Sequence, residues 1–366
     1  MIMRVVLDAR CATTHFPGIG RYVVNLARGL HAIAPALDLG LLVDSSARDK
    51  LSLPDLPQIE CDVSPFSLAQ QWRVPLALRR AGATLYHSPY YLMPYTPGVP
   101  AVFTCYDFIP LLFPAYFSAA QRFIYRLAHW LALRATRGVI AISETTRADL
   151  ARFFDLKQRR VVVTPLAPDS RFAPPTHSAI EAMRQKYNLP GDYVLYLGSN
   201  KPHKNVLMLV RAFADSQVAR ATTLVIAGHW DTRYPEARTV AEKSSARILF
   251  LGRIDEADLP ALYGGATLFV FPSQYEGFGL PPLEAMACGA PVACSNIPSL
   301  REVVGDAGLF FDLSTKDVRE ALENLLDNPG LRERLREHGL ARAAEFSWER
   351  TARATLQVYR DVVKDE

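Results

Sequence analysis

Two doubly wound α/β domains in tandem are the fold class this sequence predicts, and three observations carry the prediction. The 366 residues exceed what one hydrophobic core usually spans. Short apolar runs rich in β-branched residues alternate with longer amphipathic stretches, the pattern of a parallel sheet covered by helices. That alternation breaks at a proline-rich segment, 165–176, and then starts again.

The elements follow in order. Met3-Arg4-Val5-Val6-Leu7-Asp8 reads as a buried first strand, and further strands are expected at 39–43, 84–87, 99–105, 138–142 and 161–164. Between them, 20–34 and 118–136 have helical periodicity. Ser143-Glu144 reads as a helix cap. After the proline-rich segment, Tyr193-Val194-Leu195-Tyr196-Leu197-Gly198 looks like a new first strand, with others at 222–227, 247–251, 267–271, 291–294 and 308–311. The domains are accordingly expected at 1–175 and 176–347, with a last helix, 348–366, crossing back onto the first domain. Ligands of such sheets bind at the carboxyl ends of the strands.

Composition excludes several classes. No window holds the run of about 18 apolar residues that a membrane-spanning helix needs. The first residues lack the basic region, apolar stretch and cleavage site of a secretory signal, so a cytoplasmic protein is expected. Five scattered cysteines without CxxC spacing suit reduced thiols, and no zinc-ligand spacing occurs. Residues 1–175 hold 19 Lys and Arg against 12 Asp and Glu, whereas the remainder holds 22 against 25. Basic and aromatic residues do not alternate as a nucleic-acid strip requires, so nucleic acid is not an expected partner.

The chemistry concentrates in the stretch from Phe271 to Gly289. An expected strand runs into a loop carrying Gly277 and Gly279, then into a helix whose first turn suits Pro281 and Pro282 and whose end suits Gly289. Glycines let the backbone approach a ligand, and free N–H groups at a helix start attract anions. Glu276 precedes the helix, and Glu284 is expected in its first turn. Beside an anion site neither can bind phosphate, but both can accept hydroxyl hydrogen bonds from a sugar. The alternative is a pair of solvated glutamates interacting with the helix dipole. A second strand–turn–helix, Leu197-Gly198-Ser199-Asn200-Lys201-Pro202-His203-Lys204-Asn205, offers Lys204 as a cation for a departing diphosphate, against the alternative of a surface lysine.

With Gly-Phe-Gly-Leu-Pro between them, Glu276 and Glu284 resemble the E-x7-E motif of glycosyltransferase family 4, whose fold is GT-B, two Rossmann-like domains facing across a cleft. Gly-Ala-Pro-Val-Ala-Cys-Ser-Asn (289–296), Arg301-Glu302-Val303-Val304-Gly305 and Phe-Ser-Trp-Glu (346–349) are similar to the family as well. The resemblance implies that Glu284 binds the donor ribose, that Glu276 contacts the transferred sugar, and that backbone amides around Phe278, Gly279 and Leu280, beside Gly277, meet the diphosphate. It implies that Lys204 is a phosphate ligand. Many members carry an arginine where this chain has Ser199, leaving Lys201 or His203 as the candidate second positive group. Pro17-Gly18-Ile19-Gly20-Arg21-Tyr22 resembles the family's glycine loop, which puts Gly18 and Gly20 near the donor phosphates or acceptor. His87 ends an expected strand; a structural histidine is one reading, and the family's sugar-contacting histidine is the other. Asp107 ends the next strand, either as an acceptor-side carboxylate or as a turn-stabilising aspartate.

The function that the resemblance implies is retaining transfer of a hexose from a nucleotide diphosphate sugar. The Gly-Phe-Gly-Leu-Pro-Pro and Lys-Pro-His-Lys-Asn variants resemble bacterial surface-polysaccharide mannosyltransferases, which points to GDP-mannose and to a glycan or lipid-linked acceptor. No Asp-x-Asp occurs in the chain, so neither metal nor cofactor is expected. A nucleotide-sugar epimerase and a non-catalytic nucleotide-sugar-binding member are the alternatives. Finally, 115–137 combines aromatic residues with Arg122, Arg126, Arg134 and Arg137. As a helix it either lies in a membrane interface, a peripheral contact at the inner face of the cytoplasmic membrane, or packs Phe123, Leu127 and Trp130 on the sheet.

Overall fold

Two parallel sheets organise the chain in the computed structural model, which describes residues 3–13, 17–45, 53–156 and 159–364. The first unit comprises Met1–Leu166 and Ser347–Glu366, the second Ala167–Phe346. The division falls at 166/167 rather than at 175, because the proline-rich segment packs against the second unit: the Phe172 ring lies 6.0 Å from that of Tyr263.

The first unit runs β1 (Arg4–Asp8), α1 (Pro17–Ile33), β2 (Asp38–Val43), β3 (Gln58–Glu60), α2 (Gln70–Arg80), β4 (Leu85–Ser88), β5 (Ala101–Cys105), α3 (Ile109–Leu112), α4 (Ala119–Ala135), β6 (Gly138–Ala141), α5 (Glu144–Phe153) and β7 (Val161–Val163). Its strand order is β3-β2-β1-β4-β5-β6-β7, reversing direction between β1 and β4. β1, β4, β5 and β6 are buried along almost their whole length, as strands covered on both faces must be. Short β3 was not expected from Gln58-Ile59-Glu60, whose alternating exposure is that of an edge strand.

Helix α4 begins with a reciprocal cap. Ser118 Oγ accepts from the Gln121 N–H at 3.2 Å, and Gln121 Oε1 accepts from the Ser118 N–H at 2.8 Å. It packs through Tyr125, Ala128, His129, Ala132 and Leu133. Phe123, Leu127 and Trp130 point outward, so the alternative that packed them on the sheet is corrected.

The second unit runs α6 (His177–Tyr187), β8 (Tyr193–Leu197), α7 (Val206–Ala214), β9 (Thr223–Ala227), α8 (Glu236–Glu242), β10 (Ile248–Gly252), α9 (Leu259–Gly264), β11 (Leu268–Phe271), α10 (Leu280–Ala287), β12 (Val292–Ser295), α11 (Pro298–Val304), β13 (Gly308–Phe311), α12 (Thr315–Asp327) and α13 (Pro329–Ala344). The order β10-β9-β8-β11-β12-β13 reverses between β8 and β11, so the loops after those two strands are neighbours at the switch point.

The last helix, α14 (Trp348–Lys364), belongs to the first unit and lies along α1. Gly29 makes the approach feasible: a Cβ there would sit 2.8 Å from the Trp348 carbonyl oxygen. Thr351 Oγ1 donates to the Pro165 carbonyl at 2.6 Å, tying the helix to the end of the first segment. All five cysteines are buried and unbridged.

Candidate functional site

At the switch point of the second sheet, the loop after β8 meets the loop after β11. The Gln274 N–H donates to the His203 carbonyl at 2.7 Å, and Lys204 Nζ lies 2.6 Å from Glu276 Oε1. Their side chains are only 18% and 12% exposed, so each charge depends on the other for compensation. Nζ also lies 5.5 Å from the centre of the Phe271 ring. Lys204 closes a 3₁₀ turn (Pro202–Lys204), and left-handed Asn205, with φ 58°, turns the chain into α7. Two residues expected at different parts of a donor are thus each other's ion-pair partners.

Beyond Glu276 the loop tightens. Gly279 has φ 123°, a torsion that favours glycine, and a Cβ there would come within 2.6 Å of Leu300 Cδ2, so that side chain would have to move as well. Leu280 opens α10, and by helix geometry its N–H has no intrahelical acceptor. Pro281 and Pro282 remove the next two donors, which narrows the anion-binding capacity of this helix start to the amides up to Leu280. The Phe278 side chain is buried against Phe346, ring centres 6.0 Å apart, and anchors the loop. Half-buried Gly277 lies between Glu276 and this anchor.

Glu284 sits one turn further along α10 than expected, at its fifth residue, and is 3% exposed. Tyr263 Oη donates to its Oε2 at 3.0 Å. Burial, and secondarily the Glu284 charge, raise the Cys288 thiol far above its ordinary range, so it stays protonated.

The half-buried Ser199 offers its carbonyl to Tyr196 Oη at 2.7 Å. Its neighbour Asn200 secures the loop after β9: Nδ2 donates to the Asp231 and Tyr234 carbonyls at 2.9 and 2.7 Å, and Oδ1 accepts from the Asp231 N–H at 2.7 Å. His203 is buried; burial, then Lys204 and Lys201, lower its pKa to about 3. It is neutral, which corrects its candidacy as a second positive group. Lys201 is exposed.

The first unit changes the reading of its four candidates. His87 is fully buried in β4, with Nδ1 2.6 Å from Tyr359 Oη and Nε2 2.8 Å from Thr104 Oγ1. Both ring nitrogens are engaged within the core, and burial lowers the pKa to about 3, the arrangement expected of the structural histidine. Asp107 Oδ1 accepts from the Ile109 N–H at 3.2 Å, the turn-stabilising arrangement. Gly18 and Gly20 lie in the first turn of α1, not in a loop before it. Gly20 is buried near Ala12 and Gly18 is exposed; residues 14–16 are outside the described set. Among the described residues, no three His, Cys, Asp or Glu side chains converge as a metal site would need.

The family model of glycosyl transferases group 1 matches residues 179–342, and that of Glycosyltransferase Family 4 matches residues 17–171. The chain belongs to glycosyltransferase family 4. O-antigen chain mannosyltransferase B of Escherichia coli is 31% identical to this glycosyltransferase, over 98% of this chain and 100% of the relative. The serotype-specific mannosyltransferase WbdA of Escherichia coli is 33% identical over 72% of this chain but only 34% of its own length. Among solved structures, sucrose-phosphate synthase from Thermosynechococcus elongatus has a TM-score of 0.77 at 22% identity, covering 100% of both chains. Anabaena Alr3699/HepE in complex with UDP and glucose has a TM-score of 0.76 at 18% identity, over 97% of this chain and 98% of that one. Those likenesses establish the GT-B fold.

In this glycosyltransferase, then, the second sheet's switch point gathers a cation, its carboxylate partner and a helix start, with a buried carboxylate one turn further on. Asn200 and Tyr263 complete the arrangement and have no local sequence signature, because their partners lie 31–34 and 21 residues away.

Proposed function

We propose that this glycosyltransferase moves mannose from GDP-mannose to a glycan or lipid-linked acceptor, with retention at the anomeric carbon and without a metal ion. The observation that carries the proposal is the Lys204–Glu276 pair beside the loop into α10. A lysine there can hold a diphosphate and stabilise charge growing on it as the sugar leaves. The carboxylate beside it can accept hydroxyl hydrogen bonds from the sugar, and Glu284 can accept one from the ribose. Backbone amides up to Leu280 add fixed donors. The mannosyltransferase names of the relatives support the choice of sugar.

In the reaction so proposed, the bond from the anomeric carbon to the β-phosphate oxygen breaks while the acceptor oxygen attacks from the same face. The acceptor's proton passes to the leaving phosphate oxygen, so GDP and the glycoside are the products and no carboxylate nucleophile is needed. The reaction so proposed assigns no step to His87, whose ring nitrogens lie against Tyr359 Oη and Thr104 Oγ1.

The test is transfer from a panel of GDP-, UDP- and dTDP-sugars to a polysaccharide-derived or lipid-linked acceptor, with and without EDTA. Proton NMR of the product reads the anomeric configuration. GDP-mannose should give the highest kcat/KM, an α-linked product and an unchanged rate in EDTA. Preference for another donor, an inverted product, or loss of rate restored by Mg²⁺ would each overturn the corresponding part.

A further inference from the structure

We propose that β10, an end strand of the second sheet, is a docking edge at which an extended acidic segment of a partner protein adds as a further strand. The edge is built from the second unit alone and does not depend on the identity of the donor.

The first observation is the strand itself. Of the four end strands, β3 and β7 have three residues, β13 has four and β10 has five. Along β10, Ile248-Leu249-Phe250-Leu251 carry neither charge nor proline, and every residue is half-buried. Its ladder runs to β9: the Leu224 N–H donates to the Arg247 carbonyl at 2.9 Å, and Ile248 and Phe250 stand opposite Leu224 and Ile226. In a parallel ladder with that bond, Ile248 and Phe250 turn their own N–H and C=O groups away from β9. Proteins normally blunt such an edge with charge, proline or a bulge. Here the register shifts only past Phe250, toward Gly252, so both outward-facing residues keep regular strand geometry.

The second observation lies beside the strand. A cavity of about 330 Å³ opens between β10 and α8, lined by Arg238, Ala241, Glu242, Ile248 and Phe250. The two residues that offer backbone groups therefore also floor the cavity. A strand laid along this edge sends alternate side chains to that face, where an aliphatic one fills the apolar floor. Arg238 forms the wall. Its guanidinium lies over the Trp230 ring at 4.7 Å and the Phe250 ring at 5.0 Å, and those two rings meet edge to face at 5.1 Å. Its Nε is buried without a hydrogen-bond partner, and it forms no ion pair with the described residues. An arginine held flat by two rings and lacking an acid is preorganised for a carboxylate.

The third observation, charge, selects the occupant. Lys243, Arg247 and Arg253 are exposed around the strand and, like Arg238, have no acidic partner among the described residues. The segment 232–253 carries only Glu236 and Glu242 as carboxylates, although 176–366 hold 22 Lys and Arg against 25 Asp and Glu. The edge is thus a basic strip on a slightly acidic half, and an acidic segment complements it. A second copy of this chain fits poorly. Two-fold pairing of β10 with itself is antiparallel. Centred on Phe250 it sets Arg247 against Arg253, and centred on Leu249 it sets Arg247 against Leu251.

The experiment uses the whole chain and acetylated peptides of about eight residues, an ordinary strand length, in which valine alternates with glutamate or with lysine. Fluorescence anisotropy reads binding, and hydrogen exchange of backbone amides reads pairing. The valine–glutamate peptide should bind and be released by salt, and the valine–lysine peptide should bind at least about tenfold more weakly. Bound peptide should slow exchange at Ile248 and Phe250, whereas Leu249 and Leu251, whose N–H groups face β9, should change little. Arg238→Glu should weaken binding by about tenfold or more, the loss of a charge-assisted bond. Ile248→Pro removes one outward N–H without touching the β9 ladder and should weaken it by about fivefold. Circular dichroism checks that both variants fold; if Ile248→Pro does not, Arg238→Glu and the exchange pattern decide. No binding of the valine–glutamate peptide overturns the proposal. So does equal affinity for the two peptides, or binding that leaves exchange at Ile248 and Phe250 unchanged. A wild-type dimer in sedimentation velocity that Ile248→Pro dissolves assigns the edge to a second copy and overturns it too.

Discussion

Lys204 and Glu276 meet across 72 residues of sequence, and their pairing changes how substitutions there must be interpreted. Removing either leaves the other's charge largely screened from water and uncompensated, so each single variant combines a chemical loss with a local electrostatic one. Lys204→Ala should lower kcat/KM by about 10²–10³, the range for losing one charge-stabilising donor. Glu276→Gln should lower kcat with little change in nucleotide affinity. The double variant should fall short of the summed losses by about 0.5–3 kcal/mol, measured as a cycle in both thermal stability and kcat/KM. Strict additivity would show that the two side chains act independently. At this scale the sequence exposed the chemistry-bearing types, because glycines, prolines and carboxylates cluster within one strand–turn–helix. It could not expose occupancy: His87 looks the same in sequence whether its ring nitrogens are open or taken by Tyr359 and Thr104.

Among the elements, α10 shows how little freedom the donor-side loop has. Gly279→Ala forces a side chain onto φ 123° and into Leu300 at 2.6 Å. The cost should be about 1–3 kcal/mol from backbone strain, with further loss from the clash. In a Leu300→Ala background the clash is relieved but not the torsion, so Gly279→Ala should cost less there, yet the urea midpoint of Gly279→Ala/Leu300→Ala should still lie below that of Leu300→Ala alone. Equal midpoints would mean that the torsion costs nothing. The longer elements were legible because apolar period decides them, and β8 and β11 appear close to where their runs predict. β3 was not, since its three residues include no apolar run and an edge strand is defined by its neighbour. For α4 the period alone left two faces open; only the packing of Tyr125, His129 and Leu133 settled which is inward.

For the molecule as a whole, buried neutral histidines contribute acid sensitivity, His203 in the second unit and two in the first. His87 and His129 both have pKa values lowered by burial to about 3 from 6.5. Above pH 6.5 neither state binds the proton, and their full contribution is present. As pH falls from 6.5 toward 3, the unfolded chain takes up protons that the native one refuses, so stability drops, by about 2 kcal/mol for each histidine at pH 5. Melting of the first unit should therefore shift down between pH 7 and 5, and His129→Leu should remove roughly half of that slope. A slope untouched by the substitution would place the acid sensitivity elsewhere. The two-sheet plan was legible from the repeated alternation, but the break at 166/167 was not, because proline content marks stiffness and says nothing of which side a segment packs on.

The return of α14 to the first unit has a consequence for biosynthesis. A ribosome releases the second unit as one uninterrupted stretch, Ala167–Phe346, able to fold as it emerges. The first unit must wait: until residues 348–364 are made, the flank of α1 around Gly29 stays open and His87 has no Tyr359 to bond. The amino-terminal half is synthesised first and completed last, so during translation it is the half that holdase chaperones would be expected to bind.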